Sequence, residues 1–366
     1  MMRKIKALNR ARNLKTKKIK NATRLFKYRL FYRGKTTLNA SEYHSVCVFL
    51  HAQMIGDALV TSGFINRLRQ QGFDVSVVVN EKIATLFDSM LTADAVYVID
   101  HKNVKTIASQ LKEKGIDLVV DFSDFENTSV LREKTLSLIN CKHAIGFNNP
   151  VNTTYDTNII TPESVHITER MTRVLSLLGI QENLSPLLVF KDAVMADTRH
   201  FAESLGKKLI IVNPFASMNI RSLSMSQIYS VLDYLEQLTG HITVIFDLGV
   251  EIDLSKYQHI VLNPFRDIPR SFALVQFADF VITVDTSVVH LSSILNIKQY
   301  CIYNNRKFNE KFENNIAWGP NSSLAVPFYT NEFIGSDNGD DVSKFDISLL
   351  INRIASDLNE SARAPC

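Results

Sequence analysis

The sequence predicts two doubly wound α/β halves facing each other across a cleft, and three observations carry that reading. From Tyr43 to Phe147, short aliphatic runs alternate with helical patterns, and the same alternation restarts near Ala193. Between the two series lies Gln181–Pro186, a polar, proline-containing stretch that reads as an interdomain linker. The stretch Phe280–Asn304 reads strand, polar turn, helix, strand, which is the βαβ unit of a parallel sheet. A chain of 366 residues also exceeds one ordinary core, so two domains are the default.

In order along the chain, Val46–Leu50 is an apolar strand and His51–Gly56 a loop. Asp57 then opens a helix with Ala58, Leu59, Phe64, Ile65 and Leu68 on its apolar side. Strands follow at Val75–Val79, Val96–Ile99, Asp117–Phe122 and Ala144–Phe147, separated by helices near Ile83–Met90, Val104–Lys114 and Val130–Asn140. A helix over 165–179 ends at Gly179. The second half has a helix near Ala193–Leu205, strands Leu209–Asn213 and Ile242–Phe246 around a helix Ser224–Leu238, and a strand Ile260–Leu262. A short helix near Pro269–Phe277 leads into strand Phe280–Val284, a helix carrying Val288, Val289, Leu291, Ile294 and Leu295, and strand Tyr300–Tyr303. Phe345, Ile347, Leu350, Ile351 and Ile354 give a last amphipathic helix over Val342–Leu358.

Composition is that of a water-soluble globular chain, 46% hydrophobic and 21% charged, with no apolar run near the ~18 residues that span a bilayer. No apolar segment follows the basic N-terminus, which therefore does not read as a secretory signal. Cys47, Cys141, Cys301 and Cys366 show neither metal-ligand nor redox spacing and fit free thiols in a reducing cytoplasm. The net charge of +4 conceals an asymmetry. Residues 1–35 hold fourteen Lys or Arg and no acid, leaving 27 basic against 37 acidic residues in the rest. Within this arm Arg24–Arg33 interleaves cations with Leu25, Phe26, Tyr28, Leu30, Phe31 and Tyr32. That pattern suits an anionic membrane surface, with apolar groups inserted and cations on head groups. Nucleic acid would draw the same charges, but nothing else in the chain resembles a nucleic-acid module, and a solvated tail is the plain alternative.

Three short segments carry chemistry. Met54-Ile55-Gly56-Asp57 joins the first strand to the first helix; Gly56 allows close approach, and Asp57 is either a general base or a helix cap. Asn213–Arg221 follows the first strand of the second half, where Ser217 and Arg221 offer a hydroxyl and a fixed cation for a diphosphate, or form a solvated loop. In Asp285-Thr286-Ser287, two hydroxyls stand at a helix start that favours an anion, and Asp285 can accept from a sugar or base. His290 is one turn beyond Thr286 on the same face. The same residues also make an ordinary N-cap and a helix histidine.

Together the three segments resemble glycosyltransferase family 9, the lipopolysaccharide heptosyltransferases of GT-B fold, over about residues 43–330. Met54–Asp57 matches the family's first turn, Pro214-Phe215-Ala216-Ser217 with Arg221 its second segment, and Asp285-Thr286-Ser287-Val288-Val289-His290-Leu291 its Asp-Thr-Gly-x-x-His-Leu. The chain then divides into a basic arm (1–42), two Rossmann-like domains (43–183 and 184–340) and a C-terminal helix and tail (341–366), and the resemblance implies that the first domain binds the acceptor and the second the nucleotide-sugar. It implies an inverting transferase without metal or other cofactor, with Asp57 as base. Ser217, Arg221, Asp285, Thr286, Ser287 and His290 would line the donor site, and Met54 and Gly56 the acceptor side. The implied partners are a nucleotide-sugar, ADP-heptose first, and a glycolipid acceptor of lipopolysaccharide or lipooligosaccharide core type. The implied place is the cytoplasmic face of the inner membrane, bound through residues 1–35. Phe215 and Ser287 stand where the family has glycine, and Leu223-Ser224 where it has Trp-Pro. A lost glycine narrows the space beside a ligand. The alternatives are a degenerate member that binds nucleotide or glycan without turnover, and a nucleotide-sugar epimerase.

Overall fold

The computed structural model describes residues 37–50, 54–123, 130–148, 155–162, 165–184, 186–305, 307–308, 312–330 and 339–363, with isolated positions between 16 and 28. The predicted basic arm therefore lies almost wholly outside the described residues, as do His51–Gln53 of the predicted loop.

Two six-stranded parallel sheets form the frame. The first contains β1 (Ser45–Phe49), β2 (Asp74–Val79), β3 (Ala95–Val98), β4 (Leu118–Val120), β5 (His143–Phe147) and β6 (Thr157–Ile159), in the order β3-β2-β1-β4-β5-β6. The helices between them are α1 (Ile55–Gln70), α2 (Glu81–Phe87), α3 (Val104–Lys114) and α4 (Val130–Ile139), and α5 (Thr168–Leu177) follows β6. The second sheet contains β7 (Lys208–Asn213), β8 (His241–Ile245), β9 (Ile260–Leu262), β10 (Ala278–Val284), β11 (Lys298–Tyr303) and β14 (Ala325–Tyr329), in the order β14-β11-β10-β7-β8-β9. Its helices are α6 (Asp192–Ser204), α7 (Met225–Leu235), α8 (Ile268–Leu274) and α9 (Ser287–Ile294). A two-stranded antiparallel pair, β12 (Lys307–Phe308) and β13 (Phe312–Glu313), precedes α10 (Asn314–Ala317), and α11 (Ile347–Arg363) closes the chain.

Numbered within its own half, each sheet runs 3-2-1-4-5-6, the doubly wound order. Ligands in such sheets sit beyond the carboxyl ends of strands 1 and 4, where the winding reverses. Here those strands are β1 and β4 in one half, β7 and β10 in the other.

Several elements differ from the sequence reading. The first helix begins at Ile55, so Gly56 lies inside it and Asp57 is its third residue, not its opener. Its carboxylate accepts the N–H of the capping residue, Met54 (2.8 Å), the contact made by an acid at the third position of a capping box. β6 and β14 carry no long apolar run, and the parallel neighbours β5 and β11 recruit them as edges. The final helix starts at Ile347; Val342–Lys344 is a separate 3₁₀ turn capped by Asp341. Gln181–Pro186 is docked rather than free where described: a methyl group on Gly63 would come within 3.2 Å of Leu184 Cβ and 3.3 Å of Pro186 N.

One apolar cluster runs through both halves, joining Leu59, Phe64 and Leu68 of α1 to Leu209, Val281, Val288 and Leu291. That explains why α1 buries Thr61, Ser62 and Asn66 besides its apolar side. The helix is covered by its own sheet, by the linker and by the opposite half, and Thr61 and Ser62 satisfy their hydroxyls on the carbonyls of Asp57 and Leu59.

Candidate active site

The three segments singled out in the sequence all emerge at the carboxyl ends of the reversal-point strands: Met54–Asp57 after β1, Pro214–Arg221 after β7, Asp285–Ser287 after β10. In the second half the turns are tied together by side chains. Asn213, the last residue of β7 and 4% exposed, donates through Nδ2 to Thr283 Oγ1 and Thr286 Oγ1, both at 2.9 Å. Thr286 caps α9, its hydroxyl accepting the N–H of Val288 (3.3 Å). The cap reading of Thr286 is therefore realised, and the capped helix end points into the reversal point, where an anion would meet it.

Arg221 closes the other side. Its Nη1 donates to Asp285 Oδ2 (3.1 Å) and to the Asp285 carbonyl (3.4 Å), and its Nη2 to Ser217 Oγ (3.0 Å). The side chains of Arg221 and Asp285 are 16% and 10% exposed, so the pair is held in a site partly shielded from water. Among the described residues, Arg221 Nε is buried without a hydrogen-bond partner, and so is the hydroxyl of Tyr303. Burial, then Cys301 and Asp285 nearby, drive the Tyr303 pKa well above the usual tyrosine value. Two donors without acceptors beside one carboxylate are an unusual cost for a purely structural cluster.

The residues standing in place of the family's glycines are accommodated in different ways. Phe215 packs, with Ala216, against the core cluster of Val212, Leu223, Ile282 and Val284. Leu223 is buried in that same core and its N–H closes the loop on the Pro214 carbonyl (2.9 Å). Ser224 caps α7 and shares a capping box with Gln227. Ser287 is the first residue of α9, its Cα at the boundary with the first half.

The first half contributes Asp57, half-buried at that boundary. Burial raises its pKa to about 6, opposed in part by the Met54 N–H. The carboxylate thus titrates near neutrality, as a general base requires. Gly56 and His290 bring the halves into contact: a methyl group at position 56 would lie 2.8 Å from His290 Cδ2, 3.3 Å from its Nε2 and 3.7 Å from Ser287 Cα. His290 is buried and stands edge-to-face with Trp318, ring centroids 6.3 Å apart. Burial and the neighbouring His166 push its pKa down to about 3, so it is neutral.

The structure therefore brings Ser217, Arg221, Asp285, Thr286 and Ser287 together around one turn, and sets Gly56, the neighbour of Asp57, against Ser287 and His290. Met54 is exposed beside Asp57, and His290 lies between the halves. Sequence reasoning includes Asn213 in the second segment without giving it a role, and passes over Trp318 and His166. Asn213 had one available signal, a polar residue closing an otherwise apolar strand.

Among the described residues no group of three or more His, Cys, Asp or Glu is arranged to hold a metal ion. None of their helices is long and apolar enough to cross a membrane.

Two doubly wound halves in this order, with facing strand ends, define the GT-B glycosyltransferase fold. Comparison with known proteins agrees. The chain is 22% identical over 302 residues, 78% of its length and 82% of the relative's, to "Putative lipopolysaccharide heptosyltransferase 4" of Escherichia coli K12. Among solved structures it superposes on a glycosyl transferase family 9 protein of Veillonella parvula (TM-score 0.68, 19% identity, 87% of this chain and 98% of that one). It also superposes on the ADP-heptose lps heptosyltransferase II of E. coli (TM-score 0.65, 13% identity, 87% and 99%). No protein-family model matches the chain. The resemblance carried by the three segments holds, and the chain is a heptosyltransferase-like glycosyltransferase.

Proposed function

We propose that the protein transfers a sugar, heptose from ADP-heptose, with inversion and without a metal, onto a lipopolysaccharide or lipooligosaccharide core acceptor. The observation that carries this reading is that the first turn of α1, which holds Gly56 and Asp57, packs against the start of α9 beside the Arg221–Asp285–Thr286 turn. The acceptor hydroxyl attacks the anomeric carbon and passes its proton to Asp57. The bond between that carbon and the diphosphate oxygen breaks, and the electron pair leaves with the diphosphate. Arg221, Ser217, the Thr286 hydroxyl and the start of α9, with Ser287 as its first residue, stabilise the charge that develops there. Asp285 aims Arg221 and would accept from a sugar hydroxyl. Met54 and Gly56 border the acceptor.

Support for the donor comes from similar E. coli structures solved with ADP and with an ADP-2-deoxy-2-fluoro heptose, both of the heptosyltransferase WaaC. The side chain of Phe215 is taken up by the core, which removes one objection to a nucleotide diphosphate in this loop. Residues 1–35, with fourteen cations and interleaved aromatics, suit the anionic cytoplasmic face of an inner membrane where a glycolipid acceptor would be met.

Calorimetric binding of ADP, UDP, GDP and CMP beside ADP-heptose tests the donor. Selective ADP and ADP-heptose binding is expected. Preference for another nucleotide would move the enzyme to another sugar, and no binding of any would make a non-catalytic relative the better reading. Liposome sedimentation of the full chain against a chain starting at Thr36 tests the arm; equal binding of both would dismiss its membrane role.

A further inference from the structure

Gly56 has no conformational reason to be glycine. It lies in the first turn of α1 with a backbone any residue adopts, and helix propensity alone favours alanine there. The reason is spatial and comes from the other half of the molecule, because a methyl group at 56 would drive into the His290 ring. That ring cannot give way cheaply. It is 7% exposed, is carried on a helix whose Val288, Val289 and Leu291 are buried, and is backed by Trp318.

The backing is itself strapped to the first half. The Ile167 N–H donates to the Ala317 carbonyl (2.9 Å), and His166 Nε2 donates to the Gly319 carbonyl (3.2 Å). His166 Nδ1 is occupied by Thr168, which sets that tautomer. Residues 317–319 belong to the second half of the chain, so Trp318 is held between the halves, with His290 between it and Gly56. Ser287, the next residue after the capping Thr286, packs along the same seam.

We propose that the Gly56–His290 contact is the stop that sets how closely the two halves approach, and that His290 is a positioning residue holding Asp57 opposite the Thr286 turn. The inference rests on the reading above that Asp57 and that turn serve one reaction, and it deepens that reading. Gly56 follows the first strand and immediately precedes Asp57, so a displacement at the stop passes directly to the carboxylate. Positioning of this kind acts on the transfer step and leaves nucleotide binding within the second half untouched.

The molecule carries its own reporter, since Trp318 is the one tryptophan in the chain. Its emission maximum and acrylamide quenching are measured in the full chain as a double-mutant cycle of Gly56→Ala and His290→Ala. Gly56→Ala is expected to move the emission to longer wavelength and raise quenching about twofold, as Trp318 is levered toward water, and to do neither in the His290→Ala background. Equal shifts in both backgrounds, or no shift in either, would overturn the stop. Should Gly56→Ala alone not fold, recovery of far-ultraviolet circular dichroism in the double variant supports the same contact, and an equally unfolded double variant refutes it. ADP release from ADP-heptose over a lipooligosaccharide acceptor should fall at least tenfold in Gly56→Ala with ADP affinity within about twofold of the parent. A parallel loss of ADP affinity would reduce His290 to a structural or ligand-contacting residue. If the parent chain binds no ADP, the donor reading fails while the fluorescence cycle still decides the seam.

Discussion

The two halves share one strand order and put their first turns at equivalent places, yet they arm those turns with opposite chemistry. After β1 stands a carboxylate whose only close polar partner among the described residues is its own helix cap. After β7 and β10 stand a guanidinium, hydroxyls and a helix start, cross-linked by Asn213 and by the Arg221–Asp285 pair. A helix start favours anions in both places, but the outcomes differ. In the first half burial outweighs it and lifts Asp57 toward neutrality. In the second half it adds to the cation and hydroxyls. The same scaffold thus carries a carboxyl of raised pKa on one side and a cation with hydroxyls on the other, because side-chain identity and burial, not topology, set the charge.

The sharpest way to break this comparison is Asp57→Asn. Turnover should fall to background while ADP-heptose binding stays within about twofold, since the donor turn is intact. Stability should move the other way. A folded pKa near 6 against an unfolded value of 3.8 means the native state holds the proton more tightly. The cost of the buried charge is therefore absent below about pH 4 and complete above about pH 6, at most ~3 kcal/mol and less because part of the group reaches solvent. Asp57→Asn should raise Tm at pH 8 and leave it nearly unchanged at pH 4. A variant that keeps turnover removes Asp57 from the chemistry. For the parent enzyme the same pKa places a limb in kcat/KM, rising with pH through about 6.

Next in size is Arg221→Ala. It removes charge-assisted hydrogen bonds worth roughly 1.5–3 kcal/mol, so ADP affinity should drop about 10- to 100-fold. It also leaves the Asp285 carboxylate poorly exposed and without this cation, and Tm should fall. Adding Asp285→Asn should restore the Tm but not the affinity. If the double variant also recovers ADP binding, the pair is structural and the cradle lies elsewhere.

Asn213→Ala should have a moderate effect, because two hydroxyls lose a donor at a cost of roughly 1–3 kcal/mol and the Thr286 cap loosens. About a fivefold loss of ADP affinity with Asp57-dependent chemistry intact would set Asn213 apart as an aligning residue of the second half only. An unchanged affinity would show that capping by Thr286 alone holds the turn.

What the sequence could reveal divides along the same line. Each half was legible because its strands are continuous apolar runs, and the three turns were legible because they interrupt those runs with polar residues at fixed places. The start of α1 was misread by two residues. Asp57 looks like a cap, but its side chain reaches back as the third residue of the helix, a distinction that depends on backbone angles at Met54. β6 and β14 were invisible, since edge strands take their structure from the neighbours that pair with them. The seam between the halves was invisible for a stronger reason. Gly56, His166, His290 and Trp318 are scattered over the chain, and only the packing of one doubly wound unit on the other brings them together.

The smallest expected effect concerns Ser287, which stands where the family pattern has glycine. From the sequence alone that exchange narrows the donor's space. The structure places the residue at the first position of α9, with its Cα facing Gly56 across the seam. A first-turn position tolerates a side chain, and glycine there adds chain entropy to the unfolded state, at a cost of roughly 0.5–1 kcal/mol. Ser287→Gly should therefore lower Tm slightly and change ADP-heptose affinity by less than threefold. A gain of tenfold or more in affinity would place the serine side chain in the donor's space. The second half would then be an anion cradle deliberately tightened, selecting a smaller or differently shaped sugar than the unmodified turn accepts.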